Sequence, residues 1–212
     1  MPDLGIISPA MLKLFNDCGG KFYYRYVEQI ISPTLDKAFV VGKNIHAMAS
    51  YYLNGEKISK FEKCLTEKEK EFWQYLKQCK YFDYDVVGVE KSLSACFGDF
   101  WLGGRLDAIV KQGDNIFILD YKTGGVSDDM IYDYQTMVYL LLCDRYFKKY
   151  ETLSFVYLDL KNKKDVVIKF DDSLRDEYKS ILLDICQKMR DFDIKKFRRF
   201  DDCKCEYSKI CI

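Results

Sequence analysis

The chain has 212 residues, 49% of them hydrophobic, and its 33 Lys and Arg residues are balanced by 33 Asp and Glu residues. This length and composition indicate one domain with ample material for a packed core. The formal net charge of zero gives no support for non-specific nucleic-acid binding through an overall basic surface, so any such contact must come from local patches.

Cysteine content and hydropathy indicate the compartment. The nine cysteines are an odd number, and no signal peptide is visible, since Pro2-Asp3 is not a basic region and no cleavable apolar stretch follows. We therefore expect reduced thiols in a cytoplasmic protein, with metal binding favoured over disulfides. The longest apolar run, around Met137 to Cys143, is too short to span a bilayer, so we expect no membrane association.

The N-terminal part of the chain is predicted to be helical. Ser8-Pro9 is typical of an N-cap followed by proline in the first turn, and this short helix should end near Asn16, before a break at Gly19-Gly20. Apolar periodicity predicts further helices over Lys21–Gln29, Ala38–Tyr52 and Glu56–Gln78. In the last helix the residues expected to face inward are Phe61, Leu65, Phe72, Trp73 and Leu76.

Strands and helices alternate in the rest of the chain. Three successive strands are predicted over Val86–Phe97, Phe100–Lys111 and Ile116–Lys122. A helix follows over Asp129–Phe147, then strands over Thr152–Leu160 and Asp165–Phe170, then a helix over Ser173–Arg190. This order predicts an α/β fold in which a central mixed β-sheet is flanked by helices.

The second and third strands should form a hairpin with two carboxylates on it, in the stretch GGRLDAIVKQGDNIFILDYKTGG from Gly103 to Gly125. A two-residue type II′ loop at Gly113-Asp114 places Asp107 opposite Asp120, with Cβ atoms about 4.5–5.5 Å apart. Like charges there are destabilising, whereas a bound divalent cation would turn them into ligands. Side-chain alternation puts Lys122 on the face of Asp120.

Two alternatives stay open at this stage. A loop at Asp114-Asn115 would make the aspartates diagonal or offset on the same neighbouring strands. Asp107 and Asp120 could also be strand-end charges in water, which is a common role for an isolated aspartate. The presence of both aspartates and Lys122 within strands this apolar favours a functional site.

These residues resemble a known pattern. The G-x-x-D and D-Y-K-T-G stretches resemble the core motif of the PD-(D/E)XK nuclease superfamily, specifically the RecB-type exonucleases. GKNIHAM (42–48) resembles the upstream histidine motif of that family, and QTMVY (135–139) its Q-x-x-x-Y signature. NDCGGKFYYRYV (16–27) and CKCEYSKIC (203–211) resemble the cysteine motifs of members that carry an iron–sulfur cluster. The chain is most similar to the CRISPR-associated RecB-like (Cas-four) exonucleases and the AddB and RecB nuclease domains.

The resemblance implies a fold and an active site. It implies a restriction-endonuclease-like core in a single RecB-like nuclease domain over 1–212. It implies Mg²⁺ or Mn²⁺ bound by His46, Asp107, Asp120 and the carbonyl of Tyr121. Glu90 would hold a second metal or its water, with a solvated strand residue as the alternative. Lys122 would orient the attacking water or stabilise the transition state. Gln135 and Tyr139 share a helix face that lies beside the active site in the family.

The resemblance also implies an iron–sulfur cluster. The predicted ligands are Cys18, Cys203, Cys205 and Cys211, with segments 1–35 and 192–212 forming the iron–sulfur subdomain. Four thiolates suit a 4Fe-4S cluster or, as the alternative, tetrahedral Zn²⁺. The C-x-C spacing of Cys203 and Cys205 departs from the usual C-x-x-C. The remaining thiols are expected to be small buried hydrophobes: Cys64, Cys79, Cys96, Cys143 and Cys186.

Two stretches beside these cysteines mix cations with aromatic residues, as single-strand DNA tracks do. The predicted DNA-binding residues are Lys21, Tyr24, Arg25, Arg198 and Arg199, with Phe200 beside the last two. For the first stretch, a solvated helix face with tyrosines in the core is an equal alternative.

The predicted function is a metal-dependent DNA exonuclease that prefers single-stranded ends. It would act in DNA repair or recombination, or in CRISPR spacer-precursor processing. Expected protein partners belong to CRISPR adaptation or helicase–nuclease complexes. One alternative is a catalytically silent DNA-binding or assembly subunit, and another is an electron-transfer protein that uses the cluster alone.

Overall fold

A mixed β-sheet lies between two layers of helices. The computed structural model describes residues 4–30, 39–127, 129–199 and 203–211, and within these ranges the sheet has six strands. The strands are β1 (Ile6–Ile7), β2 (Asp85–Phe97), β3 (Phe100–Gln112), β4 (Asn115–Lys122), β5 (Thr152–Asp159) and β6 (Lys164–Phe170).

The strand pairings are both parallel and antiparallel, as predicted. Strands β2, β3 and β4 form an antiparallel meander, β4 and β5 pair in parallel, and β5 and β6 are antiparallel. The short β1, which the sequence analysis missed, pairs in parallel with Trp101 and Leu102 of β3. Because β4 pairs only with Ala108 to Gln112 of β3, the part of β3 just before Ala108 lies at an opening in the sheet.

Seven α-helices are present in the described residues. They are α1 (Pro9–Asp17), α2 (Gly19–Phe22), α3 (Phe39–Leu53), α4 (Ser59–Glu62), α5 (Glu67–Lys77), α6 (Tyr134–Tyr146) and α7 (Asp172–Arg190). Helices α1, α6 and α7 contribute Leu12, Leu140 and Leu182 to the core on one face of the sheet. Helices α3 and α5 contribute Ile45 and Leu76 to the core on the other face. None of the described helices is both long and apolar enough to cross a membrane.

The prediction of one helix over Glu56–Gln78 was wrong. The structure divides this stretch into α4 and α5, because Thr66 starts a new helix as its N-cap and forms a capping box with Glu69, which satisfies the free N–H groups of a helix start. The division turns Phe61 outward, with 49% of its surface exposed, whereas Phe72, Trp73 and Leu76 are buried as predicted.

Two other helix boundaries differ from the predictions. Helix α6 begins at Tyr134 rather than Asp129, because Asp133 caps it by accepting a hydrogen bond from Gln135 N. The predicted helix over Lys21–Gln29 begins earlier, at Gly19, and continues as a π-helical turn over Tyr23–Val27. Ala38, the predicted first residue of α3, lies outside the described residues.

Candidate active site

The β3–β4 hairpin adopts the predicted register. Gln112 pairs with Asn115, and the ladder continues to Ala108 opposite Leu119. Asp107 and Asp120 come next in this register, at the end of the ladder. There the Asp107 carboxylate reaches across and accepts a hydrogen bond from the Tyr121 backbone N–H (Oδ2···N 3.1 Å). The hairpin therefore sets both carboxylates at the opening in the sheet.

Asp120 and Lys122 face α6, where Gln135 bridges them. Lys122 Nζ lies 2.8 Å from Asp120 Oδ2 and donates a hydrogen bond to Gln135 Oε1 at 2.9 Å. Gln135 Nε2 donates to Asp120 Oδ1 at 2.5 Å. Because Gln135 is the second residue of α6, the helix boundary described above is what brings its amide to this point. The three side chains form a closed polar ring in an otherwise apolar layer.

His46 of α3 lies on the other side of the hairpin. Its Nε2 is 2.9 Å from the Tyr121 carbonyl oxygen, and its Nδ1 is 3.2 Å from Asp107 Oδ1. Both ring nitrogens thus face acceptors, an arrangement that a doubly protonated imidazolium satisfies. Burial lowers the pKa of His46, but the hydrogen bond and charge of Asp107 and the Tyr121 carbonyl outweigh it, so the pKa is raised overall.

Strands β2 and β3 are irregular at Glu90 and Asp107, and the irregularity brings these two carboxylates together at the opening in the sheet. Glu90 has a positive φ of 48°, which is uncommon for any residue but glycine and often marks functional sites. In β3, Leu106 packs in the core beside α6 and Ala108 in the core beside α3. Residues two apart on a regular strand share a face, so β3 changes face at Asp107. Glu90 is held by Arg105 (Oε2···Nε 2.8 Å).

The residues at the opening fit a hard divalent cation. His46, Glu90 and Asp107 each offer a ligand atom, and these three atoms lie within 4.8 Å of one another. Asp120 lies outside this triad, and its buried Oδ2 accepts no well-directed hydrogen bond. Carboxylate oxygens with an imidazole form a donor set that Mg²⁺ and Mn²⁺ accept. Burial and the charge of Asp107 raise the pKa of Asp120 from 3.8 to about 6, against the opposing effect of Lys122.

Tyr139 supports the site from within the core. It is buried, and its hydroxyl donates to the Arg105 carbonyl at 2.9 Å. A Cβ atom added at Gly104 would lie 2.6 Å from the Tyr139 ring, so glycine is what allows α6 to approach β3 this closely. The structure therefore places Tyr139 against the strand that carries Asp107 rather than at the open cleft.

Glu90 and Asp107 line a cleft of about 740 Å³, together with His46 and Lys122. Its lining includes residues that the sequence analysis did not single out, among them Lys43, Ser50, Tyr51 and Arg105. Those on α3 could have been found from helical spacing, because Lys43, Ser50 and Tyr51 share the helix face of His46. Arg105 was visible only as the residue two before Asp107.

Asp159 was missed as well, and it shapes one wall of the cleft. It is fully buried at the end of β5. It accepts hydrogen bonds from the backbone N–H of Val126 (3.1 Å), from the backbone N–H of Asn162 (3.1 Å) and from Asn162 Nδ2 (2.7 Å). These bonds hold its pKa below the usual range despite burial. The loop that follows Lys122, whose glycines line the cleft, is thereby fixed to β5.

The two ends of the described chain meet at the predicted cysteine ligands. Cys203 Sγ lies 3.3 Å from Cys205 Sγ, and Cys18 Sγ accepts a hydrogen bond from Lys21 N at 3.5 Å. Burial and the neighbouring charges of Cys18 and Cys203 raise the pKa of Cys211. Hydrogen bonds from Cys205 lower the pKa of Cys203. The four thiols therefore share one region of the molecule.

Contacts between the same segments occupy some of the predicted DNA-binding residues. The Tyr24 hydroxyl donates to the Ile210 carbonyl at 2.8 Å, and the ring stacks on Tyr207. Tyr24 is buried, so its ring is not placed to stack on bases, and the alternative of a tyrosine in the core describes it correctly. Lys21 forms an ion pair with Glu206 at 3.3 Å.

The predicted arginines lie at the surface. Arg25, Arg198 and Arg199 are exposed, and Arg199 donates to the Ser208 carbonyl at 2.8 Å. Phe200 lies outside the described residues. Because these arginines lie at the surface, they are available to contact phosphates. Tyr24, the aromatic residue predicted together with Lys21 and Arg25, is buried and is not available to stack on bases.

The remaining cysteines do not all behave as predicted. Cys143 and Cys186 are buried, and burial raises the pKa of each thiol. Cys79 and Cys96 are half-buried, and Cys64 is exposed. The prediction of a buried Cys64 was wrong because it assumed the single long helix, whereas Cys64 lies in the turn between α4 and α5.

Comparison with known proteins identifies the class. The family model of the PD-(D/E)XK nuclease superfamily matches residues 6–212, so the chain belongs to that superfamily. The observed mixed sheet with its flanking helices fits the restriction-endonuclease-like core of the family. No curated protein matches the sequence.

Two solved structures resemble this fold. One is a protein of Eubacterium rectale, described provisionally as an exonuclease, with a TM-score of 0.61 and 12% identity over 94% of this chain and 86% of that chain. The other is the protein SSO0001, with a TM-score of 0.50 and 14% identity over 100% of this chain and 87% of that chain. At these identities the likeness concerns the fold alone.

Proposed function

We propose that this protein is a DNA exonuclease that depends on Mg²⁺ or Mn²⁺ and prefers single-stranded ends. The observation that carries the proposal is the meeting of His46, Glu90 and Asp107 with the Asp120–Lys122 pair at one opening of the sheet. Together they offer ligands for a cation and a positioned ammonium group beside them. These are the elements that phosphodiester hydrolysis requires.

Each group has a role in the proposal. His46, Glu90, Asp107, Asp120 and the carbonyl of Tyr121 would hold the cation, which supplies charge neutralisation and a nucleophilic water at neutral pH when bound. The Lys122 ammonium would stabilise charge on the phosphate in the transition state or orient the water. The hydrogen bond from Lys122 Nζ to Gln135 Oε1 and the ion pair with Asp120 support this role, because together they fix the position of the ammonium group.

The preference for single-stranded ends and the pathway follow from the resemblance to RecB-type exonucleases. We propose action in DNA repair or recombination or in CRISPR spacer-precursor processing, with partners from a CRISPR adaptation or helicase–nuclease complex. The exposed Arg25, Arg198 and Arg199 support phosphate contacts, which are a major source of affinity for DNA.

A cleavage assay with three substrates tests the function. Linear single-stranded, circular single-stranded and blunt duplex DNA of one sequence are incubated with Mg²⁺ or Mn²⁺, and the linear strand is labelled at either end to give the polarity. The linear strand should be degraded, the circle spared and the duplex degraded slowly. Asp120→Asn should abolish the activity, and Asp114→Asn, in the exposed loop of the same hairpin, should retain it.

The other outcomes are equally informative. Cleavage of the circle at the rate of the linear strand would show an endonuclease. An absence of cleavage with both metals, in protein whose melting temperature still rises with Mg²⁺, would favour the silent assembly subunit. Equal activity of Asp120→Asn and the unchanged chain would contradict the assigned site.

We also propose that Cys18, Cys203, Cys205 and Cys211 hold a 4Fe-4S cluster. The four thiols lie in one region, and the Tyr24 and Tyr207 hydroxyls tie the same two segments together through backbone carbonyls. In the proposal, segments 1–35 and 192–212 form a subdomain of the single domain 1–212. Residues 1–3, 31–35, 200–202 and 212 of these segments lie outside the described residues.

Tetrahedral Zn²⁺ stays the alternative occupant of these thiols. Cys203 Sγ lies 3.3 Å from Cys205 Sγ, and zinc–sulfur bonds of about 2.3 Å also bring thiolates close to one another. The cluster is proposed on the resemblance of the two cysteine motifs, and metal content distinguishes it from zinc.

Metal analysis of anaerobically purified protein tests the cluster. Iron, sulfide and visible absorption are expected in the unchanged chain, and Cys18→Ala should lose all three. Cys64→Ala, in the exposed turn, is the matched control and should keep them. Cys203→Ala tests the unusual C-x-C spacing, since full absorption there would remove Cys203 from the ligand set. One zinc per chain without iron would replace the cluster by a zinc site.

A further inference from the structure

The face of α3 that carries His46 continues past the metal ligands along the cleft. Lys43, His46, Ala47, Ser50 and Tyr51 all line the cleft, and their spacing is that of one face of a helix. Tyr51 lies five residues beyond His46, about 7.5 Å along the axis at 1.5 Å per residue.

A second aromatic ring supports Tyr51 from outside the cleft. Phe61 of α4 stacks on the Tyr51 ring, with the centroids 5.1 Å apart and the planes 11° from parallel. Phe61 remains 49% exposed, so the contact does not bury it as an ordinary core packing would. The near-parallel stack holds the Tyr51 ring in one orientation, which lowers the entropy cost of binding a third flat ring.

Three cationic side chains lie at the cleft, where they can contact the phosphate backbone of a bound nucleic-acid strand. Lys43 is exposed, the side chain of Arg105 is 69% exposed beside Glu90, and Lys122 also lines the cleft. Aromatic faces next to a cationic track are how proteins bind single strands without reading sequence, because every base has a stacking face.

We propose that Tyr51, backed by Phe61, is a stacking platform for an unpaired base of the strand whose phosphate lies at His46 and Asp107. The inference rests on the nuclease function proposed above and adds to it the part of the substrate recognised, a nucleobase rather than the phosphate alone. A base inside a duplex already has both faces covered by its neighbours. The platform therefore selects an unpaired base and provides a physical basis for single-strand preference.

Binding of two strands with identical phosphates tests the platform. The probes are fluorescent oligothymidylate and an abasic strand of equal length, measured with Ca²⁺ in place of Mg²⁺ so that the strands stay intact. The unchanged protein should bind oligothymidylate about 5- to 150-fold more tightly, as stacking of one base implies. Equal affinities in the unchanged protein would overturn the proposal without any variant.

Variants then locate the effect. Tyr51→Leu should weaken binding of oligothymidylate toward that of the abasic strand and leave abasic binding unchanged, whereas Tyr51→Phe should bind both as the unchanged protein does. Phe61→Leu should give a smaller loss of the same kind. Tyr132→Leu removes an exposed tyrosine that contacts Glu177 and Tyr178 and should change neither affinity. Base preference retained in Tyr51→Leu would overturn the assignment.

Cleavage of the same strands with Mg²⁺ separates this inference from the function on which it rests. Cleavage by the unchanged protein with no preference for base-bearing strands would leave the nuclease proposal standing and refute the platform. Base preference in binding without any cleavage would refute the nuclease proposal and retain the platform as a single-strand binding site.

Discussion

Replacing Asp120 by Asn should stabilise the metal-free protein at neutral pH while abolishing its cleavage of DNA. Asp120 is buried, and burial together with the charge of Asp107 raises its pKa to about 6. At neutral pH the folded chain must therefore keep a disfavoured carboxylate in its interior. Asn has the same shape, carries no charge and retains an oxygen that can accept the hydrogen bond from Gln135 Nε2. Its NH₂ group takes the place of Oδ2 beside Lys122 Nζ, and this contact between two donors reduces the gain.

The magnitude follows from the shift of the Asp120 pKa. A rise from 3.8 to about 6 corresponds to about 3 kcal/mol at 1.36 kcal/mol per pKa unit. The pKa already includes the attraction of Lys122, so this figure is the net cost of the charge and an upper bound on the gain in Asp120→Asn. For a chain of this size it amounts to about 6–12 °C in melting temperature.

The gain should depend on pH in one direction. Below about pH 4 the carboxyl is protonated in both the folded and the unfolded chain, so its charge costs nothing. Between about pH 4 and pH 6 the unfolded chain ionises while the folded chain still holds the proton, and the free energy of unfolding falls as the pH rises. The advantage of Asp120→Asn should therefore grow through this window and be constant above it.

Thermal and urea unfolding of both proteins from pH 4 to pH 8, in EDTA, measures the effect. Asp114→Asn is the control, because it makes the same chemical change in the exposed loop of the hairpin. Mg²⁺ should then stabilise the unchanged chain more than Asp120→Asn, since the carboxylate is a proposed ligand. A variant less stable than the unchanged chain at pH 7.5, or a difference independent of pH, would refute the reasoning.

Three further predictions concern the other side chains of the two sites. Lys122→Ala should lower the cleavage rate about 100- to 1,000-fold, as loss of one transition-state contact does, and should retain the Mg²⁺-induced rise in melting temperature. The control is Lys149→Ala, which removes an exposed lysine. Normal cleavage by Lys122→Ala would contradict the proposed role of Lys122. Asp107→Asn should reduce that Mg²⁺-induced rise, and an undiminished rise in calorimetry would remove Asp107 as a ligand. Cys18→Ala and Cys211→Ala should lower the melting temperature of the anaerobic protein and expose its ends to trypsin, because metal binding contributes to folding; unchanged melting and proteolysis would argue against a structural cluster.

Local sequence predicted the hairpin at the centre of the site and left two loops open. The Gly113-Asp114 loop places Gln112 opposite Asn115 and sets Asp107 and Asp120 at the same level, and the structure selects this register over the alternative loop at Asp114-Asn115. Alternation along a strand then placed Lys122 beside Asp120. The helix boundaries were less well predicted because caps compete with periodicity. The Thr66–Glu69 capping box was readable in the sequence, yet the apolar spacing around it predicted one continuous helix.

Only the tertiary structure decided which distant groups meet. His46 and the Tyr121 carbonyl it contacts are 75 residues apart, and the Gln135 amide reaches Asp120 because α6 packs against the sheet beside β3 and β5. No local signal predicts the positive φ of Glu90 or the change of face at Asp107, because both arise from fitting one strand against another. Tyr24 and Tyr51 show the same limit. The sequence does not distinguish them, and only the packing of the chain buries Tyr24 and places Tyr51 in the cleft.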